Sequence, residues 1–331
     1  MSASLEALAT RLEEVLGAGA PQLGLKRIVS VERYSSGLSS QSYGVEVETA
    51  DGPVTWVMRV EPEHGVIPPY DIGREYRLIA DMGKAGIPVP DVLHLEEDAA
   101  AIGHRFMLMS FVEGEVYRSG DARFAENPER TASMQRQFVE ALARIHAAPQ
   151  SVFPIYRDGR ESARALVATC RRRLATVQLL PAPVMEHALD VLDHHAPEAQ
   201  RLGLVHGDYR PPNIKWINGK IEGILDWELA TVGDPLADIA FTQTVGFGPC
   251  AIRDELADLY TEITGIEIDP HRLAYHRMLE MAKSSIIGMG GASDLVHGGT
   301  DLRLLSVAAL ASAGQPMLIA MEAELEKFLE T

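Results

Sequence analysis

The residues of this chain best equipped for chemistry lie in one stretch, His206-Gly207-Asp208-Tyr209-Arg210-Pro211-Pro212-Asn213. It is followed by Ile214 to Ile217, the pair Asn218-Gly219, and Lys220 to Asp226. An Asn-Gly pair between two apolar runs is a strong hairpin signal, because both turn residues must adopt positive φ. If these two form the turn, Ile217 faces Lys220 and Asn213 faces Ile224. Asp226 then lies one diagonal step along the same face, on the order of 7 Å from Asn213. An amide oxygen and a carboxylate so placed are hard ligands, of the kind Mg2+ accepts when phosphate and water oxygens complete its octahedron. Asp208, five residues before Asn213 in a proline-containing loop, comes near that cation without having to bind it. His206 has no second His or Cys beside it, so it is expected to pack and hold the loop rather than ligate a metal.

The elements that must position these groups can be read from periodicity. Residues 28–32, 42–48 and 54–60 alternate as strands do, with Asp51-Gly52 as a turn between the last two. Asp71 to Met82 carries Ile72, Tyr76 and Ile79 at helical spacing and is stopped by Gly83, Gly86 and Pro88. Val89 to Leu95 and Arg105 to Val112 read as two further strands. From about Ala132 the pattern turns helical, with Phe138, Leu142 and Ile145 on one stripe and Val184, Leu189 and Leu192 on another. This order predicts an α+β chain with two lobes: residues 1–111 hold an antiparallel sheet and one helix, and residues 112–331 are mainly helical. Ile286 to Thr300 contains five glycines and reads as a loop bordering a pocket. Met278, Met281 and Met289 read as core filler.

Composition narrows the function classes. The chain has 331 residues, a formal net charge of −17, 46% hydrophobic and 23% charged residues, which fits an ordinary globular protein. That acidity argues against nucleic acid as a partner, since phosphate neutralisation needs clustered Lys and Arg. Arg171-Arg172-Arg173 is expected to be a solvated helix face, with Leu166, Val167, Cys170 and Leu174 around it. Two cysteines exclude a disulfide framework and point to a reducing, cytoplasmic compartment. The first fifteen residues read as an amphipathic helix and not a secretory leader. Leu304 to Met321 lacks charge, but Gly314-Gln315-Pro316 interrupts it, so two core helices are expected there and no membrane span.

His206-Gly207-Asp208, then Asn213, then Asp226, resembles the catalytic loop and metal-binding aspartate of the aminoglycoside phosphotransferase and choline kinase group. Gly233-Asp234-Pro235-Leu236-Ala237-Asp238-Ile239-Ala240 is similar to the segment that follows. Trp56-Val57-Met58-Arg59 and Gly73-Arg74-Glu75-Tyr76-Arg77 look like a branch of that group whose members include some joined to acyl-CoA dehydrogenase domains. The resemblance implies a bilobal protein-kinase-like fold and phosphoryl transfer from ATP, with Mg2+, to a hydroxyl of a small molecule. It implies that Asp208 orients the acceptor hydroxyl and takes its proton, while Asn213 and Asp226 hold Mg2+ against the phosphates.

The same resemblance assigns nucleotide contacts in the first lobe. Ser36, Gly37, Leu38 and Ser39 would bring backbone amides to the phosphates. Arg59 stands where most such kinases have Lys, with Glu75 as its partner, and Arg is geometrically distinct from Lys. Ser110 and Val112 would offer backbone hydrogen bonds to adenine. The acceptor is expected to be a hydroxyacyl-type metabolite or an aminoglycoside-like molecule. The alternative is a noncatalytic, nucleotide-binding scaffold of the same shape; a protein-kinase role fits less, because Asp226 is followed almost at once by Gly233-Asp234-Pro235 and helix.

Overall fold

Alternation along the strands decides how the N-terminal half is built, because successive side chains point to opposite faces. The computed structural model describes residues 2–34, 41–62, 66–67, 69–118, 121–244 and 252–299, together with Leu304, Glu326 and Phe328. Strands β1 (Leu25–Arg33), β2 (Gln41–Thr49), β3 (Gly52–Val60), β4 (Val92–Glu96) and β5 (Phe106–Ser110) form one antiparallel sheet in the order β1-β2-β3-β5-β4. Trp56, Met58, Val60, Phe106 and Leu108 cluster with Leu12 and Leu16 of helix α1 (Ser2–Gly19). The residues of opposite parity, Val57, Met107 and Met109, cluster instead with Ile72, Ile79 and Met82 of helix α2 (Ile72–Lys84). Arg59 shares the parity of Val57 and so faces α2.

Helix α2 begins where Asp71 accepts a hydrogen bond from the Arg74 amide at 2.9 Å. Its buried stripe includes Ile72, Glu75, Ile79 and Met82. A carboxylate within an apolar stripe is tolerated only if it is paired. Glu75 meets Arg59 at 2.8 Å, both side chains being less than a tenth exposed.

The chain leaves the sheet at Ser110, and Glu115 exchanges two backbone hydrogen bonds with Trp216. Helices α3 (Arg123–Glu126), α4 (Pro128–Ala147), α5 (Gly159–Val177) and α6 (Pro183–His194) follow. Four short strands, β6 (Gly203–Val205), β7 (Ile214–Ile217), β8 (Lys220–Ile224) and β9 (Thr231–Gly233), then pair as β6 with β9 and β7 with β8. Helices α7 (Leu236–Thr244), α8 (Ile252–Thr264) and α9 (Pro270–Val296) close the described part. The expected stripe of α4 is fully buried at Phe138, Leu142 and Ile145. On α6, Leu189 and Leu192 are buried but Val184, in the first turn, is half exposed. Val167, Cys170 and Leu174 of α5 join Met278 of α9 in a second core, with Met281 and Met289 packed against it. No helix of the described residues is long and apolar enough to cross a membrane; the 304–321 segment lies outside them apart from Leu304.

Two sequence expectations are corrected. Ile286 to Val296 is not a loop but the last three turns of α9. Gly290 serves close packing: a Cβ there would lie 2.8 Å from the carbonyl oxygen of Val66, in the segment between β3 and α2. The hairpin also has a different register. Asn218 and Gly219 do form a turn with φ of 52° and 77°, but a bulge shifts the pairing to Lys215 with Gly223 and Ile214 with Ile224. Asn213 therefore stands opposite Leu225, whose amide donates to the Asn213 carbonyl at 2.8 Å. The bulge sits where Gly223 meets Val112, whose Cγ1 is 2.8 Å from the place a Cβ would take.

Ala at an ordinary helical glycine stabilises by about 1 kcal/mol. Gly290→Ala should reverse that sign, costing about 1–3 kcal/mol in urea denaturation, because the new methyl meets backbone that must move. A stabilised Gly290→Ala protein would show that α9 and the Val66 segment are not in contact in solution.

Candidate functional site

A buried carboxylate on α7 fixes the loop that carries Asp208. The Asp238 side chain is fully buried; its Oδ2 accepts the His206 amide and its Oδ1 the Gly207 amide, each at 2.8 Å. His146 of α4 reaches the same carboxylate through Nε2 at 3.0 Å and bonds the Tyr260 hydroxyl through Nδ1 at 2.8 Å. Burial pushes Asp238 up, but the hydrogen bond and charge of His146, the nearby His206 ring and the Gly207 amide outweigh it and hold the acid below its ordinary value. Gly207 itself has φ of 82°, and a Cβ there would lie 2.4 Å from the Leu229 carbonyl oxygen. Only glycine fits this turn.

His206 is fully buried against Trp227, with ring centroids 4.5 Å apart, and burial lowers its proton affinity so that the ring is neutral. Its partners select the tautomer: the Asp208 amide donates to Nδ1 at 3.3 Å, and Nε2–H donates to the Leu225 carbonyl at 3.1 Å. The histidine thus ties the backbone of Asp208 to the residue preceding Asp226, as a packing and positioning group.

Asp208 and Asn213 are in direct contact. Pro211 to Asn213 form one turn of 3-10 helix, and the Asn213 amide donates to the Asp208 carbonyl at 2.9 Å and to its Oδ2 at 2.7 Å. With both hydrogens so used, the atom Asn213 offers elsewhere is Oδ1. Asp226 does not reach the site by strand alternation, since β8 ends at Ile224. Its backbone turns left-handed, with φ of 67°, and Arg59 holds its Oδ1 at 3.3 Å from both Nη1 and Nη2. Asp226 is close enough for its charge to act on Asp208. Burial first, and that charge second, push Asp208 up to about 6, against the opposing pull of Arg210, whose Nε lies 2.9 Å from Oδ1. The Asp226 side chain keeps 32% of its surface, and Arg59 takes only one of its oxygens. An amide oxygen and a partly free carboxylate oxygen are donors that suit a hard divalent cation, with few protein ligands and the rest supplied by phosphate or water. Among the described residues no three His, Cys, Asp or Glu side chains form a metal cluster of their own.

The remaining sequence candidates fare differently. Arg59 pairs with Glu75 as expected, but in a buried network, and it also bonds Glu228 at 2.9 Å. Burial opposes its charge, and the three carboxylates more than offset that, raising the guanidinium above its ordinary value. The Ser110 amide donates to the Asp91 carbonyl at 2.8 Å, which removes it as a donor to a base. Val112 packs on Gly223. Ser36, Gly37, Leu38 and Ser39 lie outside the described residues.

Several residues of the site carried no local signal. Lys283 of α9 is buried, pairs with Glu280 and donates to the Gly207 carbonyl at 3.1 Å. Asp238 and Glu228 act through partners distant in sequence, the amides of His206 and Gly207 and the Arg59 guanidinium, whereas Arg210 meets Asp208 two residues away.

The Asp208 shift has a stability consequence. An acid raised in the folded state contributes stability that is complete below the unfolded value of 3.8 and is lost as pH rises through about 6. Asp208→Asn should therefore be more stable than the parent at pH 7.5, by on the order of 2–3 kcal/mol, with the gain vanishing near pH 4. Urea denaturation at the two pH values checks this, and equal parent and variant stability at pH 7.5 would contradict it.

Known proteins resemble the chain in sequence and in fold. The chain is 32% identical over 215 residues to acyl-CoA dehydrogenase family member 10 of Mus musculus, a match that covers 63% of this chain but only 20% of that relative. A Ralstonia eutropha structure described as an aminoglycoside phosphotransferase superposes with a TM-score of 0.69 at 22% identity, covering 96% of this chain and 98% of the other. Aminoglycoside phosphotransferase APH(4)-Ia, as a thermostable mutant in ternary complex with AMP-PNP and hygromycin B, gives a TM-score of 0.61 at 20% identity, covering 96% and 99%. The fold is thus the bilobal α+β kinase-like one. The profile of the phosphotransferase enzyme family, APH, matches residues 30–276, and the chain belongs to that family.

Proposed function

We propose that this protein is an ATP- and Mg2+-dependent small-molecule kinase that transfers the γ-phosphoryl group to an alcohol hydroxyl. The observation that carries the reading is the Asp208–Asn213 contact beside Asp226, on a loop clamped by Asp238. Family membership supports a phosphotransferase, and the AMP-PNP complex of a structural relative supports ATP as donor.

Asp208 is assigned as the base. It accepts the hydroxyl proton as the alcohol oxygen bonds to the γ-phosphorus and the bond from that phosphorus to the bridging oxygen breaks, releasing ADP. An acid raised to about 6 is ionised at neutral pH, and its proton affinity suits proton transfer there. The Asn213 amide orients the carboxylate, and Arg210 approaches its other oxygen. Asn213 Oδ1 and Asp226 are the proposed metal ligands; bound Mg2+ supplies neutralisation of phosphate charge. We assign residues 1–111 to the nucleotide and residues 112–331 to catalysis and the acceptor, with Val112 retained as a contact to adenine and Arg59, Glu75 and residues 36–39 as the phosphate side.

For the acceptor, the relative named as an acyl-CoA dehydrogenase family member favours a hydroxyacyl-type metabolite over an aminoglycoside. The scaffold alternative draws on one observation, that three carboxylates already engage the guanidinium at the usual lysine position. ATP consumption across panels of hydroxyacyl and aminoglycoside acceptors separates these. Asp208→Ala should lower turnover about 10²–10⁴-fold while leaving the Mg·ATP thermal shift in place. Equal turnover in that variant would remove the assigned base, and a parent that binds Mg·ATP without turnover on any acceptor would favour the scaffold.

A further inference from the structure

Among the described residues three carboxylates engage the Arg59 guanidinium, and they do so unevenly. Nη1 meets Glu75 at 2.8 Å and Nη2 meets Glu228 at 2.9 Å, while Asp226 Oδ1 lies at 3.3 Å from both. The two short contacts involve groups closed off from water: the Arg59, Glu75 and Glu228 side chains are 9%, 8% and 12% exposed, against 32% for Asp226. The longer, wetter contact is therefore the one that can be exchanged. A lysine ammonium is a single point charge and does not span Glu75 and Glu228, whereas the arginine fork does. Losing one partner of a buried charge pair is costly because the other charge stays behind.

Building on the kinase reading above, we infer that Glu228 is a positioning residue for the metal site. It holds Nη2 of Arg59, so that Asp226 can release the guanidinium to a divalent cation without leaving a buried arginine under-compensated. Arg59 and Glu228 then form one device. Glu228 acts here through Arg59 and does not itself ligate the metal.

Calorimetric binding of AMP-PNP to the full chain, with Mg2+ and with EDTA, tests the device in the parent, Glu228→Gln, Arg59→Lys and the double variant. Glu228→Gln should weaken Mg2+-supported binding about tenfold, a coupling of the size close charged pairs show. Metal-free binding should not weaken. In the Arg59→Lys background, Glu228→Gln should cost nothing further. Glu228→Asp, which keeps the charge but shortens its reach, should behave as Glu228→Gln does, and it serves if the glutamine variant does not fold. An equal tenfold loss in both backgrounds would overturn the inference, because Glu228 would then act independently of Arg59, and no loss in the Arg59 background would overturn it as well. A parent that binds no Mg·AMP-PNP at all would overturn the kinase reading and this inference together.

Discussion

One carboxylate with both oxygens committed to successive backbone amides is the constraint from which the site follows. Asp238 accepts from His206 and Gly207, and His146 braces it from α4. Backbone amides buried without acceptors are costly, so the loop has a single satisfied conformation once α7 and α4 are packed. That conformation brings Asp208 onto Asn213 and the His206 ring onto the Leu225 carbonyl. The 206–213 loop and the Asp226 segment are thereby set by the same few hydrogen bonds.

The N-terminal sheet is joined to this frame by charge. Arg59 faces α2 by strand parity, and its guanidinium reaches Glu75 on one side and Asp226 and Glu228 on the other. An arginine in this place makes the interlobe contact ionic and forked, where a lysine would make it a single point. Apolar packing supplements it through Val66 and Ile67, which cluster with Leu229, Ile287 and Leu295.

What was legible in the sequence followed from periodicity and local turn chemistry. Strand alternation placed Trp56 and Met58 on one face and Arg59 on the other, and the spacing of Ile72 and Ile79 gave α2. The Asn218-Gly219 turn was also correct, but the bulge beyond it, beside the place where Val112 approaches Gly223 across the fold, leaves no mark in the local pattern. Asp226 still reaches the site, by a left-handed backbone and an ion pair instead of by register. Gly288, Gly290 and Gly291 read locally as part of a loop; in the fold they are helical, and Gly290 lacks a side chain because the Val66 carbonyl lies there. The Ser110 amide is taken by the Asp91 carbonyl, a partner that only the fold supplies. Glu228, Lys283 and Asp238 owe their roles to partners that only the tertiary structure supplies.

In the proposed kinase, Asn213 and Asp226 together hold one divalent cation beside Asp208. Electron paramagnetic resonance of Mn2+ in the presence of ADP counts that ion directly. One nucleotide-dependent Mn2+ per chain is expected, lost in Asp226→Asn and weakened in Asn213→Ala. Undiminished Mn2+ binding in both variants would contradict it.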